Sequence, residues 1–218
     1  MEDKRGKIKE IIKKLVIIFW VFTIGSVFGF IVEMLYGTIL TGSLVIRKGL
    51  IYGPFVQVYG MGAVAYYLLV SKVKNSGEAF FGGMFMGGIL EYVCSFFQEI
   101  LFGTISWDYS NMPLNFNGRT SVLYCVYWGI IGILFLKLIY PNLKKLEKYI
   151  HNKWVKVLTV ILIIFMTYDI SISCMAAGRQ MERHNGINPR NKIESYLDEK
   201  YPDEVVDKVY NNKREVKN

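Results

Sequence analysis

Five apolar blocks alternate with polar segments along the chain, and their lengths predict helices that cross a membrane. The blocks lie at 15–37, 54–70, 79–101, 121–140 and 154–177. A helix of about 20 residues spans the roughly 30 Å of hydrocarbon in a bilayer, and four blocks meet that length. The second block is shorter, and residues 50–53 could extend it. The pattern therefore predicts an all-α polytopic membrane protein with about five transmembrane helices.

Two of these blocks carry the same spacing of small and acidic residues. The sets read G-x-x-x-G-x-x-x-E and lie 58 residues apart: Gly25, Gly29 and Glu33, then Gly83, Gly87 and Glu91. At helical spacing the glycines and the carboxyl of each set share one face, and glycine there allows another helix to pack closely. A turn-rich loop and another apolar helix follow each set. We therefore expect two parallel helical-hairpin repeats plus one helix, although 20 glycines make a chance match possible.

The distribution of basic residues predicts which side of the membrane each end occupies. An amino terminus in the cytoplasm places 12 basic residues inside and 3 outside, leaving the C-terminal segment aside. This asymmetry follows the positive-inside rule. Residues 1–14 then form a basic cytoplasmic lead-in, and five crossings place the polar segment 178–218 outside. We expect that segment to be partly ordered, with a possible short helix near 193–197.

Composition excludes several classes of function. The net charge of +8 comes from bases that flank apolar blocks, which indicates contact with membrane lipid rather than nucleic acid. Cys94, Cys125 and Cys174 lie far apart inside predicted helices, so we interpret them as packing residues. With two histidines in the chain, no metal site is predicted, and no cofactor motif appears. The chain also has no phosphate-binding loop, and therefore no ATPase motif of its own.

Polar residues inside and just after the glycine-bearing helices are the candidates for a binding site. Glu91, Ser95 and Glu99 form one stripe along the third block, and Arg47 and Arg119 each follow a block that contains glutamate. An ionisable residue at membrane depth is a functional candidate by default. These groups could line a buried cavity. Alternatively, Glu–Arg pairs could simply pin loops to helix ends.

The loop after the third block is rich in hydrogen-bonding groups. It contains Trp107, Asp108, Tyr109, Asn115 and Asn117 shortly before the second arginine. Tyrosine and tryptophan alone are typical of an interfacial belt, but the additional aspartate and asparagines favour a loop that faces a ligand. A structural cap is the alternative. Asp169, deep in the last block, could be a proton or cation site, but the hydroxyls beside it favour a structural role.

Several of these segments together resemble a known family. They are Gly29–Glu33, Arg47–Pro54, Tyr59-Gly60, Glu91-Tyr92, Glu99, Trp107–Ser110 and Asn117–Arg119. They are similar to the CmpB-like family of ABC-transporter type IV permeases of Gram-positive bacteria, and the resemblance runs from about Gly25 to Pro141. It implies a multi-pass protein of the bacterial cytoplasmic membrane with a transport function. A separate ATP-binding subunit would then dock on the connections 71–78 and 141–153.

The favoured hypothesis is the permease component of an ABC-type transporter, which moves a small solute through a carboxylate-lined site beneath polar outer loops. The predicted ligand-binding residues are Glu33, Arg47, Tyr52, Tyr59, Glu91, Ser95, Glu99, Trp107, Asp108, Tyr109, Asn115, Asn117 and Arg119. The small size of the chain favours a homodimer. Two alternatives stay open: an intramembrane enzyme that acts on lipid or envelope precursors, and a non-catalytic membrane scaffold or sensor.

Overall fold

The structure is a computed structural model that describes residues 2–146, 148–150 and 152–216, and it is predominantly helical. The helices are α1 (Glu2–Thr41), α2 (Gln57–Val70), α3 (Ser76–Phe102), α4 (Val122–Leu134), a π-helical turn (Phe135–Ile139), α5 (Tyr140–Leu146), α6 (Lys153–His184), α7 (Lys192–Lys200) and α8 (Asp203–Val209). Four two-residue strands accompany them: β1 (Thr104–Ile105), β2 (Asn115–Phe116), β3 (Thr120–Ser121) and β4 (Arg214–Glu215). The all-α expectation is confirmed.

Four helices are long and apolar enough to cross a membrane. They lie at Lys4–Thr41, Ser76–Phe102, Val122–Leu143 and Lys153–His184. Helix α2 has 14 residues and is therefore about 21 Å long, which is short of the hydrocarbon thickness. The chain is thus a multi-pass membrane protein, and a fifth crossing depends on α2 together with the segment before it.

Local sequence signals fix where several helices begin and end. Asn75 and Glu78 form a reciprocal cap at the start of α3: the Asn75 side chain accepts from the Glu78 N–H at 3.0 Å and donates to the Glu78 carboxylate at 2.9 Å. Gly103 ends α3 with a φ of 61°, a left-handed conformation that glycine adopts without strain. The side chain of Ser121 accepts from the Tyr124 N–H and caps α4.

Two antiparallel helical hairpins make up most of the bundle, one from α1 and α2 and the other from α3 and α4. We call residues 42–56 loop 1 and residues 103–121 loop 2. An apolar cluster joins the two hairpins at the end away from these loops. It contains Ile17 and Val21 of α1, Tyr66 and Val70 of α2, and Phe135 of the π-helical turn.

Both loops and the C-terminal segment lie at the same end of the bundle. Strand β4 pairs antiparallel with β1 in loop 2, which brings Glu215 opposite Thr104. The Tyr52 hydroxyl in loop 1 lies 2.8 Å from the hydroxyl of Tyr201. Asn211 donates a hydrogen bond of 3.1 Å to the carbonyl of Ile46. We refer to this end as the loop end, and to residues 210–216 as the strap.

The C-terminal segment is more ordered than its polar composition suggests. Helix α6 continues past residue 178 to His184, and α7 contains the short helix expected near 193–197. Arg179, only 4% exposed, donates to Asp198 at 2.7 Å and to Glu182 at 2.5 Å. Arg183 also contacts Asp198, at 2.5 Å. Because both pairs to Asp198 join α6 to a separate helix, local composition gives no sign of them.

Acid is expected to release this segment from the bundle. Hydrogen bonds from Arg179 are the largest cause that lowers the pKa of Asp198 below its usual range. A carboxyl with a depressed pKa in the folded state stabilises the fold above its unfolded pKa of about 3.9 and loses that contribution as the pH falls through the folded value. We therefore expect the protection of the α7 backbone amides against hydrogen exchange, measured at each pH and corrected for the intrinsic exchange rate, to fall below about pH 4.

Asp198→Asn should produce the same release at neutral pH, because it removes the charge that two arginines share. Glu199→Gln, which changes an exposed neighbouring side chain, is the matched control. Equal rates of trypsin cleavage after Lys192 and Lys200 in the two variants at pH 7 would contradict a role for the Asp198 pairs in docking.

Candidate functional site

Small residues close the first hairpin around a tyrosine. A Cβ added at Gly25 would lie 2.6 Å from the Ala63 Cβ and 3.1 Å from the Tyr59 carbonyl oxygen, and a Cβ at Gly29 would overlap the Tyr59 side chain. Close approach of α1 and α2 therefore requires both glycines. It also places the Tyr59 hydroxyl one turn further along α1, where it donates a 2.9 Å hydrogen bond to Glu33.

The second hairpin uses the same arrangement around a tryptophan. A Cβ at Gly83 would lie 2.9 Å from the Trp128 carbonyl oxygen and 3.3 Å from the Gly132 Cα. A Cβ at Gly87 would overlap the Trp128 side chain. The helix-packing role predicted for Gly25, Gly29, Gly83 and Gly87 is consistent with these contacts.

Glu91 lies one turn beyond Gly87 and is 6% exposed. Both of its carboxylate oxygens accept hydrogen bonds from loop 2: the Tyr109 hydroxyl donates at 2.8 Å and the Thr120 hydroxyl at 2.7 Å. No lysine, arginine or histidine in the described part of the chain forms an ion pair with it. Glu91 is thus a buried carboxyl held by neutral donors.

The two arginines pair with the other glutamates. Arg47 of loop 1 approaches Glu33 at 3.4 Å. Arg119 of loop 2 contacts Glu99 at 2.6 Å and donates to the Ser95 hydroxyl at 3.4 Å. The Arg119 guanidinium also lies over two rings of α3, at 5.8 Å from the centroid of Tyr92 and 5.5 Å from that of Phe96. Of the three polar residues in the α3 stripe, Ser95 and Glu99 therefore contact Arg119, whereas Glu91 does not.

A cavity of about 1770 Å³ opens between the hairpins and extends to α6 and the strap. Eight of the predicted ligand-binding residues line it: Glu33, Arg47, Tyr59, Glu91, Glu99, Trp107, Asp108 and Tyr109. Carboxyls from both hairpins therefore face one space. Ser95 and Arg119 are not among the lining residues, but Arg119 contacts both Ser95 and the lining residue Glu99.

The remaining predicted residues are engaged elsewhere. The Asn115 amide donates to the carbonyl of Met112 at 2.8 Å, and its oxygen accepts from the Gly118 N–H at 2.9 Å. Asn117, with a φ of 52°, donates to the Tyr92 hydroxyl. The asparagines of loop 2 therefore stabilise the conformation of the loop itself.

Hydrogen bonds from the Ser110 side chain and backbone lower the pKa of Asp108 from its usual value, so this carboxyl is ionised at the cavity mouth.

Three parts of the cavity wall were not predicted as binding residues. One is a face of α6 with Ser173, Cys174, Ala177 and Gln180, and another is the strap. The aromatic lining of α4, with Tyr124, Tyr127 and Trp128, was also missed. A signal for it exists, because Trp128-Gly129 stands in the second hairpin where Tyr59-Gly60 stands in the first.

Asp169 of α6 anchors loop 1, which supports the structural interpretation. Its Oδ1 accepts from the Tyr52 backbone N–H at 3.0 Å, and the neighbouring Ser173 hydroxyl accepts from the Ile51 N–H at 2.9 Å. Asp169 is fully buried, and Leu50 beside this turn is also fully buried. Tyr52 consequently serves to attach loop 1 to α6 and to Tyr201.

Asp169→Ala should loosen loop 1 by about 2 kcal/mol, since it leaves the buried Tyr52 N–H without an acceptor. Asp169→Asn keeps a carbonyl oxygen at that place and should retain most of the stability. Trypsin cleavage after Arg47 and Lys48 reports the state of the loop. Similar cleavage rates for Asp169→Ala and wild type would contradict the anchoring role.

Comparison with known protein families matches residues 20–174 to one family, described as "Putative ABC-transporter type IV" and labelled ABC_trans_CmpB. The match covers more than half of the chain and includes both hairpins, both loops and most of α6. Searches of curated proteins and of solved structures gave no match.

Proposed function

We propose that this protein, which belongs to the ABC-transporter type IV family, is the membrane-spanning permease component of a transporter in a bacterial cytoplasmic membrane. Its cargo is a small solute that occupies the space between the two hairpins. The observation that carries the proposal is the shared cavity, lined by Glu33 of α1 and by Glu91 and Glu99 of α3. A solute path needs such an interior, and transporters bind their substrates near the midplane between related helical units.

We further propose that the hairpins are copies of one ancestral unit. The matching contacts support this. Gly60 packs against the backbone carbonyl of Phe22, and Gly129 packs against that of Phe80, which lies 58 residues after Phe22. Tyr59 and Trp128 cover equivalent glycines in their hairpins. The 58-residue spacing thus recurs in the helix contacts as well as in the glycines, which supports the proposed duplication.

The proposed topology has five crossings with the amino terminus inside. The antiparallel packing of α2 on α1 supports counting α2 as a crossing, and the basic residues of the lead-in support the orientation. In spheroplasts, an epitope tag on the amino terminus should then be protected from external protease, whereas a tag on the carboxyl terminus should be removed. Removal of the amino-terminal tag from intact spheroplasts would contradict this topology.

Energy for transport would come from a separate ATP-binding subunit. The docking surface is proposed at the end of the bundle opposite the loop end, on the connections 71–78 and 141–153. We also propose that the permease is a homodimer, because a single chain of this size is small for a transport pathway.

The proposal is tested by purifying the tagged chain from native membranes. We expect a P-loop ATPase to co-purify, and we expect cells carrying Glu91→Gln or Arg119→Ala to lose the uptake or export that the wild-type protein supports. Unchanged transport by well-inserted Glu91→Gln and Arg119→Ala proteins would contradict the permease role. Turnover of a lipid or envelope precursor by the purified chain without ATP would contradict it as well, in favour of an intramembrane enzyme.

A further inference from the structure

The three glutamates that α1 and α3 contribute to the cavity differ in how their charge is balanced. Glu33 has Arg47 as its counter-ion, and Glu99 has Arg119. Glu91 receives hydrogen bonds from two hydroxyl groups and, within the described chain, has no cationic partner. The interior of the cavity therefore carries one uncompensated carboxyl.

This carboxyl lies at depth, whereas the basic residues of the cavity lie at its mouth. Glu91 is 11 residues from the end of α3 at Phe102, which places it about 17 Å along the helix from the loop end. The lining bases are Arg47 and Lys48 of loop 1, His184 at the end of α6, and Lys213 and Arg214 of the strap. An unpaired carboxylate near the bilayer midplane is costly, and a cation beside it would offset that cost.

Aromatic rings surround the same region. Six of the lining rings are Tyr36, Tyr59, Tyr109, Tyr124, Tyr127 and Trp128. Tyr109, which donates to Glu91, stacks on Tyr124 with ring centroids 4.2 Å apart. Aromatic faces attract organic cations, most strongly where water is excluded. The carboxyl therefore favours a positive charge, and the rings favour a cation that also has apolar surface.

The donor set does not suit an inorganic ion. Calcium takes six to eight oxygen ligands, and magnesium requires octahedral coordination. Both Glu91 oxygens are already engaged by hydroxyl donors, and the described residues contain no group of three histidine, cysteine or acidic side chains placed to hold a metal. The cavity is also larger than most small-molecule pockets, so it has room for an organic solute.

We propose that Glu91 and the aromatic wall of α2, loop 2 and α4 form a binding site for a hydrophobic organic monocation. Glu91 supplies the charge, and Tyr124, Tyr127 and Trp128 supply ring faces. This inference rests on the proposed function, because it names the class of cargo that the permease would take. The mouth carries the acidic side chains of Asp108 and Glu215 as well as basic ones, so the preference for a cation comes from Glu91 in the interior.

Binding of tetraphenylphosphonium to the purified chain in lipid nanodiscs tests the inference, with empty nanodiscs as the blank. Tetraphenylborate has the same shape and the opposite charge, so it controls for apolar partitioning. We expect saturable binding of tetraphenylphosphonium and at least about tenfold weaker binding of tetraphenylborate. Glu91→Gln should weaken tetraphenylphosphonium binding by at least about tenfold, while Glu199→Gln, which removes the same charge from the exposed surface, should not.

Tyr127→Leu keeps Glu91 and removes one lining ring, and should weaken the binding of tetraphenylphosphonium several-fold. This variant keeps the inference testable if Glu91→Gln fails to fold. Equal affinity for the two probes, or unchanged tetraphenylphosphonium binding by a folded Glu91→Gln protein, would overturn it. Binding that depends on Glu91 without any ATP-driven transport would leave the inference standing and remove the permease proposal. ATP-driven transport by a protein that binds the two probes equally would support the permease proposal and overturn the inference of a cation site.

Discussion

Gly87→Ala is expected to force α3 and α4 apart and destabilise the protein by about 3 kcal/mol, as overpacking at a tight contact does. The added methyl would overlap the Cβ and Cγ of Trp128. A change of rotamer could move Cγ but not Cβ, which is bonded to the α4 backbone, so the overlap would remain. Thermal unfolding in detergent, followed by circular dichroism, measures the loss.

Gly178→Ala is the matched control for that experiment. Gly178 also lies inside a long apolar helix, but nothing is within 4 Å of an added Cβ. Alanine favours the helix by about 0.5–1 kcal/mol over glycine, so this variant should be as stable as wild type or more stable. If Gly87→Ala and Gly178→Ala unfold at the same temperature, the close packing of the second hairpin is refuted.

Arg119→Ala is expected to cost about 1–2 kcal/mol, because it leaves the partly exposed Glu99 carboxylate without its partner. The change also removes the guanidinium from the faces of Tyr92 and Phe96. Arg119→Lys keeps the charge but loses the planar group that contacts Glu99, Ser95 and the rings, so it should restore stability in part.

The double variant Arg119→Met/Glu99→Met distinguishes the contribution of the Arg119–Glu99 ion pair to stability from that of the other contacts of loop 2. Replacing both ions with apolar side chains of similar volume is often neutral, whereas removing one is not. We therefore expect the double variant to be clearly more stable than Arg119→Ala in the same detergent unfolding assay. A double variant that is no more stable than Arg119→Ala would show that the Glu99 charge is not what the loss depends on.

The parts of the fold that depend on local periodicity could be predicted from the sequence. Apolar blocks predict the long helices, and the spacing of Gly83, Gly87 and Glu91 predicts glycines on one face of α3 with the carboxyl one turn beyond, which is consistent with the contacts of α3 with α4. The ends of helices were less predictable. Block 15–37 is part of a 40-residue helix from Glu2 to Thr41, because the charged lead-in has good helix formers and no proline to stop it.

Contacts between distant residues could not be predicted. Whether Arg119 would pair with Glu91 or Glu99 depends on how loop 2 folds back over α3, and its β2–β3 pairing settles that path. Asn115 and Asn117 look like ligand-facing groups in sequence, yet their amides are used within the loop and on Tyr92. The docking of the C-terminal segment depends on ion pairs such as Arg179–Asp198, which span 19 residues.

The two hairpins border one cavity, which both Tyr36 of α1 and Tyr124 of α4 line. Cross-linking by a short bifunctional maleimide, in lipid bilayers and in a variant with Cys94, Cys125 and Cys174 replaced by alanine, tests it most directly. The pair Tyr36→Cys/Tyr124→Cys should be joined within the monomer, whereas Tyr36→Cys/Ile130→Cys, with Ile130 exposed and outside the cavity wall, should not. Cross-linking of the Ile130 pair alone, or of neither pair in well-inserted protein, would contradict the shared cavity.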